Sequence, residues 1–345
     1  MTAEHHATVR PTPNDQARKH PHPFNMNQRI RPGATTYEET ARAKVNLHLA
    51  VGDARADGYH ELDTVFQSLS LADTIAITPC DHYPADGESV VKNLNVTGPL
   101  SHVIPTDHTN LAWGAAEAFA AAARKKGTIV ARVSIRITKG IPVAGGMAGG
   151  SADAAGVLRL LNRIYSYPLS SEELLEIGLG LGSDVPFCIL EGTARAGGRG
   201  EKLTQFTLAH TLHFALAFHR RGLSTPKVFG TLDRMRDNQE LTTRAGDPRA
   251  LIAALENPQA SIDDIAQLID NDLQAPALSM NSALSHCLEV GRAAGAAAAF
   301  ISGSGPTCAF LCHSAEHARA VAETITDAGA ADDTACAHTT PAAAI

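Results

Sequence analysis

Residues 142–152 read Pro142-Val-Ala-Gly-Gly-Met-Ala-Gly-Gly-Ser-Ala152, and no other stretch limits the fold so sharply. Gly145, Gly146, Gly149 and Gly150 remove side chains where a backbone must come close to something. The preceding Val130-Ala-Arg-Val-Ser-Ile-Arg-Ile-Thr138 alternates apolar and polar residues, which predicts a strand. The following Asp153-Ala-Ala-Gly-Val-Leu-Arg-Leu-Leu-Asn162 predicts a helix of small residues. A glycine run between strand and helix aims unpaired N–H groups and a positive helix end at one place. That arrangement suits a polyphosphate. No Gly-Lys-Ser/Thr follows the glycines, so the run is not a Walker A loop. Taken alone, it also fits a flexible surface loop ahead of an ordinary helix.

The chain has 345 residues, room for two ordinary domains or one large one. Its net charge of −7 argues against a nucleic-acid binder that relies on phosphate neutralisation. No apolar run approaches the roughly 20 residues that span a bilayer. The polar, His/Pro-rich N-terminus lacks the hydrophobic centre of a signal peptide. A cytoplasmic protein with no membrane or nucleic-acid partner is expected. The six cysteines, Cys80, Cys188, Cys287, Cys308, Cys312 and Cys336, form no CxxC pair and sit mostly among apolar neighbours. They read as buried reduced thiols rather than metal ligands or disulfides. The histidines show no metal-ligand spacing either.

Residues 1–35 lack apolar periodicity and are expected to be a disordered extension. Thr40 to Val51 alternates as a strand, and Gly52 to Gly58 reads as a loop. Thr64 to Leu71 is a second apolar stretch, and Asp73 to Thr78 a further strand. Val90 to Val96 predicts a short strand, and Asn110 to Lys126 an alanine-rich helix stopped by Gly127. Ser170 or Ser171 caps another helix. Residues 36–210 and 211–330 are expected to form two lobes, and residues 331–345 a frayed tail.

Three further segments carry chemistry. Lys44 and Asn46, two apart on a strand, share a face; an exposed edge lysine that blocks aggregation is the plain alternative. Gly182-Ser-Asp-Val-Pro186 holds Asp184 in what is otherwise a turn sequence. Ser302-Gly-Ser-Gly-Pro306 lies between two apolar strands, as an ordinary hairpin turn also does.

Together, Ala43 to Asn46, Pro142 to Ala152 and Phe300 to Phe310 resemble the three motifs of the galactokinase, homoserine kinase, mevalonate kinase and phosphomevalonate kinase superfamily. Within it, Ala43-Lys-Val-Asn46, Arg55-Ala-Asp-Gly-Tyr-His60 and Thr64-Val-Phe-Gln67 closely resemble the 4-diphosphocytidyl-2-C-methyl-D-erythritol kinases, from about residue 40 to about residue 312. The resemblance implies an α+β, two-lobed small-molecule kinase fold. Its N-terminal lobe would carry a left-handed β-α-β crossover, and its C-terminal lobe a ferredoxin-like α/β sandwich. The implied activity is ATP-dependent phosphorylation of the 2-hydroxyl of a substrate with a cytidine diphosphate group, in the non-mevalonate route to isoprenoid precursors. Mg²⁺ is expected with ATP.

By the same resemblance, Lys44 and Asp184 are the expected catalytic pair. Pro142, Val143, Ala144, Gly145, Gly146, Met147, Ala148, Gly149, Gly150, Ser151 and Ala152 are expected to wrap ATP, with Ser151 as metal contact. Asn46, Tyr59, His60 and Phe229 are expected to hold the substrate, and Gly303 and Gly305 to close the cleft. The helix from Asn110 is expected beside the purine. Ala148 and Ala152 stand where the family often carries Gly and Ser. Two other functions stay open: a homoserine- or mevalonate-type kinase, and a non-catalytic nucleotide sensor on the same scaffold.

Overall fold

Two long antiparallel strands, β1 (Tyr37–Ala54) and β2 (His60–Pro79), form the spine of the larger sheet. The structure is a computed structural model that describes residues 35–345, apart from 56, 57, 144, 242, 243 and 344. The extension expected over residues 1–35 lies outside the described residues except for its last position. The apolar stretch at 64–71 and the strand at 73–78 are one strand, β2, because its pairing with β1 continues past an irregularity in register.

After the spine come β3 (Val91–Thr97), α1 (Leu111–Lys125) and β4 (Val133–Thr138). The strands β3 and β4 are parallel neighbours joined through α1. Asn110 caps α1 by accepting the Ala112 N–H at 2.9 Å. Next is α2 (Gly149–Ile164), which starts ahead of the expected Asp153. Ala148, with φ of 58°, turns the chain left-handed, so Gly149 and Gly150 already belong to the helix. Small residues let α2 lie close to the sheet: a Cβ on Gly156 would sit 2.8 Å from Ile75 Cγ1. A Ser170–Glu173 capping box starts α3 (Ser171–Leu181), followed by the short, buried α4 (Val185–Leu190). Strands β5 (Thr193–Gly197) and β6 (Lys202–Phe206) complete this part of the sheet.

The second sheet begins with β7 (His213–Phe218). Then come α5 (Thr225–Asp237), α6 (Arg249–Glu256), α7 (Ile262–Ala266), the two-residue β8 (Asp270–Asn271), α8 (Gln274–Met280) and α9 (Ala283–Ala293). The chain ends through β9 (Ala298–Ile301), β10 (Cys308–Cys312), α10 (Ala315–Asp327) and β11 (Asp333–His338). The strand order β11-β7-β10-β9, antiparallel throughout, is that of a ferredoxin-like sandwich.

Two features join the sheets. Strand β8 pairs in parallel with β1 at His48 and Leu49, and Leu49 and Val51 of β1 pack into the core of the second sheet. The C-terminal segment, expected to fray from residue 331, is instead tied down. Strand β11 pairs with β7, Thr340 N–H donates to the Ser68 carbonyl, and Ala343 N–H donates to the Leu190 carbonyl. Its Ala/Thr composition offers little apolar burial, and backbone pairing holds it in place.

Candidate active site

A single cavity of about 860 Å³ gathers nearly all the expected residues. That volume falls in the range of roughly 300–1,000 Å³ typical of small-molecule sites. Its floor is β1. Register irregularities on either side of Lys44 and Asn46 re-aim both side chains, as bulges do beside functional sites. Both residues are buried, Lys44 only 5% exposed, so Lys44 is not an edge residue facing solvent. Lys44 Nζ donates to Asn46 Oδ1 at 2.8 Å, and Asn46 Nδ2 donates to Thr64 Oγ1 at 2.9 Å. The Phe66 ring lies 5.1 Å beneath the ammonium.

Asp184 approaches from the start of α4 and places Oδ2 3.6 Å from Lys44 Nζ. It occupies the N-cap position, yet its side chain caps no backbone N–H. The carboxylate is therefore turned from local helix duty toward the lysine. Two residues remote in sequence thus form an ion pair at the cavity wall.

The glycine run forms the adjoining wall. Pro142, Val143, Gly145, Gly146, Met147, Ala148, Gly149 and Gly150 line the cavity, whereas Ser151 and Ala152 do not; Ala144 lies outside the described residues. The Ser302–Pro306 loop braces the run from behind. Thr307 Oγ1 donates to the Gly145 carbonyl. Gly146 has φ of 72°, and a Cβ there would come within 2.7 Å of the Gly305 carbonyl oxygen. Gly303 lines the cavity; a Cβ on it would meet Asn46 Oδ1 at 3.1 Å. Gly305 does not reach the cavity and instead packs against Gly146.

Aromatic groups occupy another wall. His60 is buried, its ring centroid 5.0 Å from that of Phe229. His60 Nε2 lies 2.9 Å from Asp233 Oδ1. Tyr59 is 54% exposed, and the Arg199 guanidinium stands 4.9 Å over its ring. Thr109, Asn110 and Leu111, at the start of α1, also line the cavity.

A buried cluster of one lysine and two carboxylates beside the cavity was not evident in the sequence. Lys139, just before the glycine run, donates to Asp73 and to Asp153 Oδ2, the latter at 2.9 Å. Asp73 Oδ1 also accepts the N–H groups of Gly140 and Ile141. Two buried carboxylates therefore share one ammonium. Burial pushes the Asp153 pKa up to about 7 against the pull of Lys139. Burial opposes charge on Lys139, but Asp153 and Asp73 outweigh it and hold the lysine pKa above its usual value. Asp153 Oδ1 is buried without a partner, and both Lys139 and Asp153 line the cavity. The one sequence signal was position: Asp153 lies four residues after Gly149, on the same helix face. Arg199 and Asp233 were missed as well, since nothing in their local sequence marks them.

Residues 110–192 match the family described as "GHMP kinases N terminal domain", and residues 244–331 match "GHMP kinases C terminal". The 4-diphosphocytidyl-2-C-methyl-D-erythritol kinase of Corynebacterium diphtheriae is 52% identical over 293 residues, covering 84% of this chain and 92% of that protein. The protein of the same name from Rhodococcus jostii is 49% identical, covering 84% of this chain and 88% of that protein. A crystal structure of 4-(cytidine 5'-diphospho)-2C-methyl-D-erythritol kinase superposes with a TM-score of 0.67 at 30% identity, covering 88% of this chain and 99% of that one.

Proposed function

We propose how the cavity works from one premise: the chain belongs to the 4-diphosphocytidyl-2-C-methyl-D-erythritol kinase family. It is an ATP-dependent kinase of the non-mevalonate route to isoprenoid precursors, and it phosphorylates the 2-hydroxyl of 4-diphosphocytidyl-2-C-methyl-D-erythritol. The observation that carries the residue assignment is the Lys44–Asp184 pair, 3.6 Å apart beside a glycine-lined wall.

In this reading the ATP triphosphate lies along the glycine run, where Gly145, Gly146 and the first residues of α2 line the cavity and a helix N-terminus favours an anion. The purine lies toward Asn110 at the start of α1. The substrate hydroxyl enters between Lys44 and Asp184. Asp184 accepts its proton as the oxygen attacks the terminal phosphorus, an effect typically worth about 10²–10⁴-fold. Lys44 offsets negative charge on the phosphoryl group during transfer. Asn46 holds the Lys44 ammonium in place through its 2.8 Å hydrogen bond. The cytosine is assigned to the wall of Tyr59, His60 and Phe229, where flat rings can stack on a base. A small aliphatic substrate such as homoserine or mevalonate would leave that wall without a partner.

Mg²⁺ is assigned to Asp153. Asp153 lines the cavity, its Oδ1 is buried without a partner, and a carboxylate is the hard oxygen donor that this ion takes alongside phosphates. Ser151 does not line the cavity, and no ligand role is proposed for it. When bound, the ion would neutralise phosphoryl charge.

The test is ADP release from ATP and Mg²⁺ with the cytidyl substrate, with mevalonate and with homoserine. Turnover with the first alone supports the assignment. Turnover with either of the others and not with the first overturns it.

A further inference from the structure

We propose that His219, Cys287 and Cys308 form a site for a thiophilic divalent cation of the zinc class, outside the cavity. The proposal stands on this cluster alone and does not depend on the kinase assignment. The three residues come from three elements: His219 follows β7, Cys287 lies on α9, and Cys308 opens β10. None of them lines the cavity. Their candidate ligand atoms all lie within 4.8 Å of one another, and His219 Nε2 is 3.9 Å from Cys308 Sγ.

The spacing suits a tetrahedral ion. With Zn–S near 2.3 Å and Zn–N near 2.0–2.1 Å, adjacent ligand atoms stand about 3.5–3.8 Å apart. A contraction of at most about 1.3 Å per pair therefore closes the site, a movement open to side-chain rotation. Both cysteines are fully buried, while His219 is only partly so. His219 is the partly exposed member, so the fourth ligand of the proposed site is assigned to solvent. Two sulfurs and one imidazole select zinc over Mg²⁺ or Ca²⁺, which prefer oxygen. On binding, both thiols lose a proton to solvent, and the neutral imidazole donates a lone pair.

The site has a structural consequence. Cys308 directly follows Thr307, whose hydroxyl holds the Gly145 carbonyl. A bound ion would fix β7, α9 and β10 to one another directly behind the loop that braces the glycine run.

The test uses the full chain, reduced, treated with chelator and free of nucleotide, and titrated with Co²⁺. The expected result is one equivalent bound with thiolate-to-cobalt charge-transfer absorption and intense tetrahedral visible bands, displaced by added Zn²⁺. Cys308→Ser should lose the charge-transfer signal, and Cys336→Ser, at an exposed cysteine, should keep it. Because a core substitution can unfold the protein, His219→Ala serves as the second variant. With a native circular-dichroism spectrum, it should bind Co²⁺ at least tenfold more weakly. Absent charge-transfer bands, or unchanged affinity in His219→Ala, would overturn the site. So would a Cys287–Cys308 disulfide recovered from aerobically purified, metal-free protein, since the pair would then be a redox couple.

Discussion

At the scale of single residues, Asp184 sits at the head of α4 but caps nothing, and its carboxylate lies beside Lys44. Asp184→Asn keeps the shape and removes the proton acceptor. We expect kcat to fall by at least about 10²-fold while ATP affinity holds. Steady-state kinetics paired with nucleotide binding checks this; near-normal kcat would remove Asp184 from the chemistry. Phe229→Ala tests the aromatic wall. A base–aromatic stack is worth about 1–3 kcal/mol, so KM for the cytidyl substrate should rise roughly 5- to 150-fold. KM for ATP should stay constant, and a matching rise there would place Phe229 elsewhere. Lys44 and Asn46 were legible in the sequence because polar residues two apart interrupt an apolar strand face. Lys139 and Asp153 were not. Each looks ordinary in its own segment, and only folding makes the two carboxylates share one ammonium.

At the scale of elements, α2 lies close to the sheet because of Gly156. A Cβ there would press on Ile75 Cγ1 at 2.8 Å and Ala41 Cβ at 3.3 Å. Gly156→Val should destabilise by about 1–3 kcal/mol through overpacking. Gly180 in α3 has open space around its missing Cβ, so Gly180→Ala should stabilise by about 0.5–1 kcal/mol. Urea unfolding of both variants measures the contrast, and equal shifts would refute it. Tyr165, just past α2, accepts the Ala131 N–H at 2.9 Å, and burial pushes its pKa up to about 12. The unfolded chain ionises this phenol near pH 10, before the native state does. Stability from this group is thus complete below about pH 10 and is lost as pH rises toward 12. Tyr165→Phe should flatten that alkaline slope in a denaturation series; an unchanged slope would assign it to other groups. The sequence located β1 to β4 and α1 to α3 by their periodicity and cap signals. It misplaced the start of α2 because glycine lowers helix propensity, and the cost is met here by tertiary contacts.

For the whole molecule, the C-terminal residues act as a fastener. Thr339 and Thr340 donate backbone N–H groups to Leu212 and Ser68, and Ala343 donates to Leu190. Removing residues 339–345 should lower stability by about 1.5–4.5 kcal/mol, since each of the three backbone bonds contributes about 0.5–1.5 kcal/mol net. Thermal unfolding of the truncated chain checks this, and an unchanged Tm would show that the pairing adds nothing. An Ala/Thr-rich end gives no apolar pattern, so its role was invisible before the fold was known. One strand ties the remaining parts together. Lys44 and Asn46 near the middle of β1 line the cavity, while Leu49 and Val51 further along are embedded beneath the other sheet. A strand anchored in both halves resists opening like a pair of jaws. Admission and exit of reactants are thereby left to small peripheral segments, and loosening the second half by heat would distort the chemical centre at the same moment.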